Sequence, residues 1–233
     1  MKTISIVLLI IALIGSRSHA APSLESMRKE IESMDLVKSK SFDNLCISKI
    51  TLEKNTITEK NVEIFLAKII SLIDLAKIYI VRLESEEISD QKKSEQLVDL
   101  LARLNLASDK LILDPEISTP IITEKDTREA EFQKIKIEVS HIKDSILASK
   151  KLIGESARVS TTVANSLPTV VDLLNIIKSE AIEINTLDVT GKRKLGKMID
   201  VLGRLNLLSQ NLIEKPVLDE ASYTSESAPI LTK

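Results

Sequence analysis

The chain has a single cysteine, no tryptophan, two histidines and only 2% aromatic residues in 233 positions. One thiol, Cys46, excludes an intramolecular disulfide, so stability must come from buried aliphatic surface. The expected place for Cys46 itself is the interior, as a small hydrophobe. Scarce aromatics remove the stacking platforms of single-strand binders, and a mildly acidic balance works against phosphate neutralisation, so nucleic acid is excluded as the natural partner. Nucleophilic catalysis needs a base within reach of the nucleophile, and beyond residue 20 the only histidine is His141. There is no Gly-rich phosphate loop, no GxSxG elbow and no cluster of His and Cys with metal-ligand spacing. The expectation is a non-enzyme with no cofactor and no metal.

The long apolar runs are equally few. Residues 4–14, ISIVLLIIALI, follow Lys2 and end at Gly15, too short to span a bilayer, and Ser18, His19 and Ala20 make a small-x-small cleavage site. Residues 1–20 therefore read as a signal peptide and the protein as secreted and extracellular. No later stretch is apolar for long enough to be membrane-spanning. Without Lys2 and Arg17, the 32 basic residues fall to thirty against 34 acidic ones.

What is present is an internal repeat. Residues 97–112, LVDLLARLNLASDKLI, return at residues 198–213 as MIDVLGRLNLLSQNLI, with nine of sixteen positions identical. The same offset of 101 carries Pro115 onto Pro216, Lys93 onto Lys194, Lys77 onto Lys178 and Leu72 onto Leu173. The pattern predicts an all-α duplicated helical bundle of two tandem three-helix units. Repeat unit 1 covers residues 21–114, a linker 115–127, repeat unit 2 residues 128–215, and a disordered tail 216–233.

Within the first unit, Leu24, Met27, Ile31 and Met34 mark an amphipathic helix that breaks near residues 38–42. Thr56 and Glu59 fit a capping box, opening a helix to about Ser85 that is apolar on more than one face and so central. Ser89 caps the third helix, which stops before Pro115. In the second unit Phe132, Ile135, Val139, Ile142, Ile146, Ser149 and Ile153 form a heptad-like seam, predicting one coiled-coil helix of about 30 residues, ~45 Å long. Ser166 and Pro168 open the next helix, Thr190 the last. Leftover apolar surface on these helices favours pairing of the two units around a pseudo-twofold axis.

The repeated stretch nominates eight residues. Asp99 with Arg103, and Asp200 with Arg204, are spaced for i, i+4 surface ion pairs. Asn105 and Asn206 each sit between two leucines, where a poor helix former fixes register or bonds a carbonyl across an interface. Ser108 and Ser209 lie on the apolar seam, where a small residue admits a neighbouring helix. All eight read as structural residues that define the repeat.

A signal peptide on a cysteine-poor, aliphatic, Lys/Glu-rich duplicated helical chain resembles, in design, the small secreted salivary or effector proteins of insects. The likeness covers the whole chain and carries no functional residue with it. It implies an effector-like protein that binds an as yet unidentified protein partner through exposed helix faces. The alternative is a carrier of lipid or another apolar ligand, with residues 62–83 and 167–184 lining an inter-helix cavity.

Overall fold

A computed structural model describes residues 24–113, 115, 132–136, 142–155 and 160–214. Among them are seven α-helices and no strand: α1 Leu24–Glu32, α2 Phe42–Lys54, α3 Glu59–Ser85, α4 Asp90–Leu113, α5 Lys143–Glu155, α6 Ser160–Thr186 and α7 Gly191–Glu214. The fold is all-α. The expected signal peptide, most of the expected linker, His141 and the expected tail lie outside the described residues.

The helix lengths repeat. Helices α2, α3 and α4 have 13, 27 and 24 residues, as do α5, α6 and α7 in the same order. Each member of the second set starts 101 residues after its counterpart, at 143, 160 and 191 against 42, 59 and 90. The most extensive helix pairing joins α4 to α7, the next joins α3 to α6, and α2 packs on α7 as α5 packs on α4.

A single hydrophobic core draws on both halves. From α3 it takes Val62, Phe65, Ile69, Ile73, Ala76 and Ile80, and from α6 Leu167, Val170, Leu174, Ile177 and Ala181, all 2% exposed or less. Each buried Leu, Ile or Phe contributes ~1.5–3 kcal/mol of transfer free energy. The apolar faces that make these helices central are thus consumed against each other.

Local signals explain most boundaries. Helix α3 opens at Thr58, two residues after the expected cap. The Thr58 hydroxyl accepts from the Asn61 N–H at 3.3 Å, and Asn61 Oδ1 accepts from the Thr58 N–H at 2.9 Å. Asn61, at the third position of the helix, takes the reciprocal role that Glu59 would have played from Thr56. The Ser89 hydroxyl accepts from the Lys92 N–H at 3.3 Å and starts α4. Between α1 and α2 the chain forms a 3-10 turn, Leu36–Lys38, where Asp35 caps the Val37 N–H. Helix α6 begins before Ser166, so Pro168 lies inside it and withholds one backbone donor from the ladder.

The seam from Phe132 is not one long helix. Residues 132 and 133 are helical, 134 is a turn and 135–136 have no helical pairing, and α5 starts only at Lys143. The seam side chains Phe132, Ile142, Ile146, Ser149 and Ile153 are nonetheless all buried. Val139 is outside the described residues.

Candidate functional site

The eight nominated residues lie on α4 and α7, and four of them meet where these helices cross. Asn105, Ser108, Asn206 and Ser209 are each 1% exposed or less. Asn105 Nδ2 donates to the Asn206 carbonyl at 2.8 Å and to Ser209 Oγ at 3.1 Å. From the other side Ser108 Oγ has one proton to share between Asn206 Oδ1 and the Asn105 carbonyl, and Ser209 Oγ donates to the Asn206 carbonyl. Asn206 Nδ2 reaches Ser41 Oγ, before α2, at 3.0 Å. The result is a buried polar knot, with only Asn105 Oδ1 lacking a partner. Its bonds across the α4–α7 crossing fix the register of the two helices.

The nominated aspartates and arginines do not pair with each other. Lys150 Nζ on α5 lies 2.7 Å from Asp99 Oδ1, and Lys49 Nζ on α2 lies 2.5 Å from Asp200 Oδ1. Asp200 Oδ1 has no directed hydrogen bond, so that contact is ionic only. Both aspartates thereby bind a helix of the opposite half. A helical neighbour at i+4 is only one option for a carboxylate, and here an adjacent helix brings a lysine closer.

Arg103 Nη1 instead bonds the carbonyls of Phe132, Gln133 and Ile135 at 3.3, 2.6 and 3.2 Å. They lie at the end of a helical turn, where a cation is favoured, and the Phe132 carbonyl also accepts from the Ile135 N–H at 3.3 Å. The arginine holds the break that divides the expected long helix. Tyr79 helps by stacking on Phe132 at 5.7 Å between ring centroids and accepting from Gln133 Nε2. Arg204 bonds Glu180 on α6. Burial raises the Glu180 carboxyl above its ordinary value, and the Arg204 charge and hydrogen bond offset this only in part.

A second feature carried no nomination. Between α2 and the start of α7 runs an open groove of about 560 Å³, lined by Lys49, Ile50, Leu52, Glu53, Thr190, Lys192, Arg193, Gly196, Lys197 and Asp200. Its signal in the sequence is the run GKRKLGK at residues 191–197, legible as a basic helix start but not as a groove. Lys192 Nζ bonds the Glu53 carbonyl at 2.9 Å. Cys46, expected inside, is exposed on the outer face of α2. Its position is polar on neither side, with Ile47 54% exposed beside it.

Among the described residues no group of three or more His, Cys, Asp or Glu is placed to hold a metal ion, and no helix is long and apolar enough to cross a membrane. No family model, curated protein or solved structure matches the chain.

Proposed function

We propose that the protein is a secreted, non-enzymatic factor built by duplication of a three-helix unit, and that it binds a protein partner through its outer helix faces. Equal helix lengths at a constant offset, the pairing of α4 with α7 and α3 with α6, and the crosswise bridges from Lys49 and Lys150 support the duplication.

One observation carries the binding reading. Aliphatic side chains stand in solvent on the outer helices, Ile47 on α2 and Leu147 and Leu152 on α5, 54%, 57% and 40% exposed, and so do Val81 of α3 and Ile182 of α6, 56% and 41% exposed. Cys46 and Leu147 occupy equal positions at the offset of 101. Exposed aliphatics set among charged residues are the makings of an interface core with a polar rim. The carrier alternative drew on the apolar faces of α3 and α6, which are covered by each other.

The test is photocrosslinking from position 147 in the protein's own source fluid, with native mass spectrometry alongside. One crosslinked protein that disappears in Ile47→Glu and Leu152→Glu variants of unchanged melting temperature supports the reading. A crosslink that survives both changes overturns the assigned face. Bound mass of an uncharged apolar molecule, released on denaturation, would put the carrier first.

A further inference from the structure

We infer that the groove between α2 and α7 is a binding site for an anionic amphiphile, a phosphate monoester carried on an aliphatic body. The inference concerns a different ligand from the proposed protein partner and does not rest on that reading.

Charge bookkeeping in the groove leaves a surplus. Asp200 is matched by Lys49, and Glu53 by Lys192 at 3.6 Å. Arg193 and Lys197, both exposed, have no carboxylate or hydrogen-bond partner among the described residues. They stand at i and i+4 on one face of α7, where like charges repel by a few tenths of a kcal/mol. Arg193 also lies in the first turn, where the macrodipole disfavours a cation, and α7 has no acidic residue there. Folding alone would not choose this arrangement, and rule-breaking of this kind is expected where a site is kept.

The other half shows that the arrangement is not required by the helix. At the offset of 101, Gly191, Lys192, Arg193, Gly196 and Lys197 correspond to Asp90, Gln91, Lys92, Glu95 and Gln96. The same helix start is therefore built there with two acids and no surplus charge. Only the α7 end gathers Lys192, Arg193, Lys194 and Lys197, with Lys194 taken up by Glu59 at 3.0 Å.

The remaining wall names the rest of the ligand. Ile50 of α2, 57% exposed, lines the groove opposite the cations, together with Leu52, which is 2% exposed. Two free cations beside an aliphatic wall match a dianionic head with an apolar body, and the volume lies within the range of small-molecule sites. Gly196 leaves the space between them open, since a Cβ built on it meets nothing within 4 Å.

Isothermal titration of the full mature chain tests the site, with dihexanoyl phosphatidate kept below its micelle concentration as the probe. Dihexanoyl phosphatidylcholine and inorganic phosphate separate head from body. The expected result is one phosphatidate per chain, with phosphatidylcholine at least about tenfold weaker. Two variants should each weaken phosphatidate about tenfold or more: Arg193→Gln with Lys197→Gln, which removes the free cations, and Gly196→Glu, which installs the residue of the Glu95 register. A Cβ at position 196 meets nothing within 4 Å and Glu replaces a poor helix former, so an unchanged melting temperature of Gly196→Glu is expected and separates loss of binding from loss of fold. Unchanged affinity in both variants, or no phosphatidate binding at millimolar concentration, overturns the site. Inorganic phosphate binding as tightly as phosphatidate overturns the aliphatic half of the assignment.

Discussion

Asn105 and Asn206 hold the same register on α4 and α7 but bond differently, and the cause is one residue. Ser41 offers its hydroxyl to Asn206 Nδ2, whereas the position 101 residues later is the buried Ile142. Without that hydroxyl, Asn105 turns its amide to the Asn206 carbonyl and leaves Oδ1 unsatisfied. Asn206→Ala takes the donor from Ser41 Oγ and leaves Ser108 Oγ only the Asn105 carbonyl, and should cost about 2–3 kcal/mol in urea unfolding. Asn105→Ala removes an already half-satisfied group and should cost less, about 1–2 kcal/mol; the reverse order would contradict the assigned bonding. Glu180 gives a pH signature. Its native pKa is raised, so the folded state holds the proton more tightly, and the group costs stability as pH rises from its ordinary value of 4.5 through the raised value. Glu183, lowered chiefly by the hydrogen bond from Arg28, acts the other way, its contribution being lost as pH falls through its lowered value. In paired urea titrations Glu180→Gln should therefore gain on the parent as pH climbs above about 4.5, and a pH-independent difference would contradict the raised carboxyl. The repeat nominated all four knot residues, because polar side chains between leucines are conspicuous in a helical seam. It could not show which charges pair, since Lys49 and Lys150 are far from Asp200 and Asp99 in sequence and near only after folding.

At the scale of the helix, two glycines in α7 have opposite surroundings. A Cβ on Gly203 would lie 2.9 Å from Leu45 Cδ1 and 3.1 Å from Leu36 Cδ2, so the glycine allows α2 and the 3-10 turn to seat closely on α7. Gly196 meets nothing. Alanine at 196 should stabilise by about 0.5–1 kcal/mol through helix propensity. At 203 the same gain is offset by overpacking of about 1–3 kcal/mol, so the midpoint should fall or stay flat. Equal gains at both positions would mean that the close seat is not held. The divided seam after Phe132 belongs to this scale too. Periodicity marks a buried face, and that part was legible in Ile142, Ile146 and Ile153. It does not mark where a helix ends when the cap is an arginine 29 residues away on another helix. Arg103→Lys offers one point charge in place of a planar fork, so it should not recover the stability lost in Arg103→Ala.

For the whole molecule, the shared core makes a prediction about half of it. Residues 21–120 contain Lys49, Asp99, Asn105 and Ser108, and with them both partners of every cross-half contact that the proposed duplication makes equivalent. Alone as a monomer, this half would expose the faces of α3 and α4 that α6 and α7 cover. Two copies could pair as the two halves do, Lys49 of one reaching Asp99 of the other and the asparagines meeting at the axis. The expected behaviour is a dimer by sedimentation whose unfolding midpoint rises with protein concentration, because dimer stability is tied to mass action. Lys49→Glu should weaken that dimer, and Asp99→Lys added to it should restore part of the loss by reversing the charges across the same contact. A monomeric half that unfolds as sharply as the full chain, with a midpoint independent of concentration, would show that each half holds its own core and that the contacts between α4 and α7 join two finished domains.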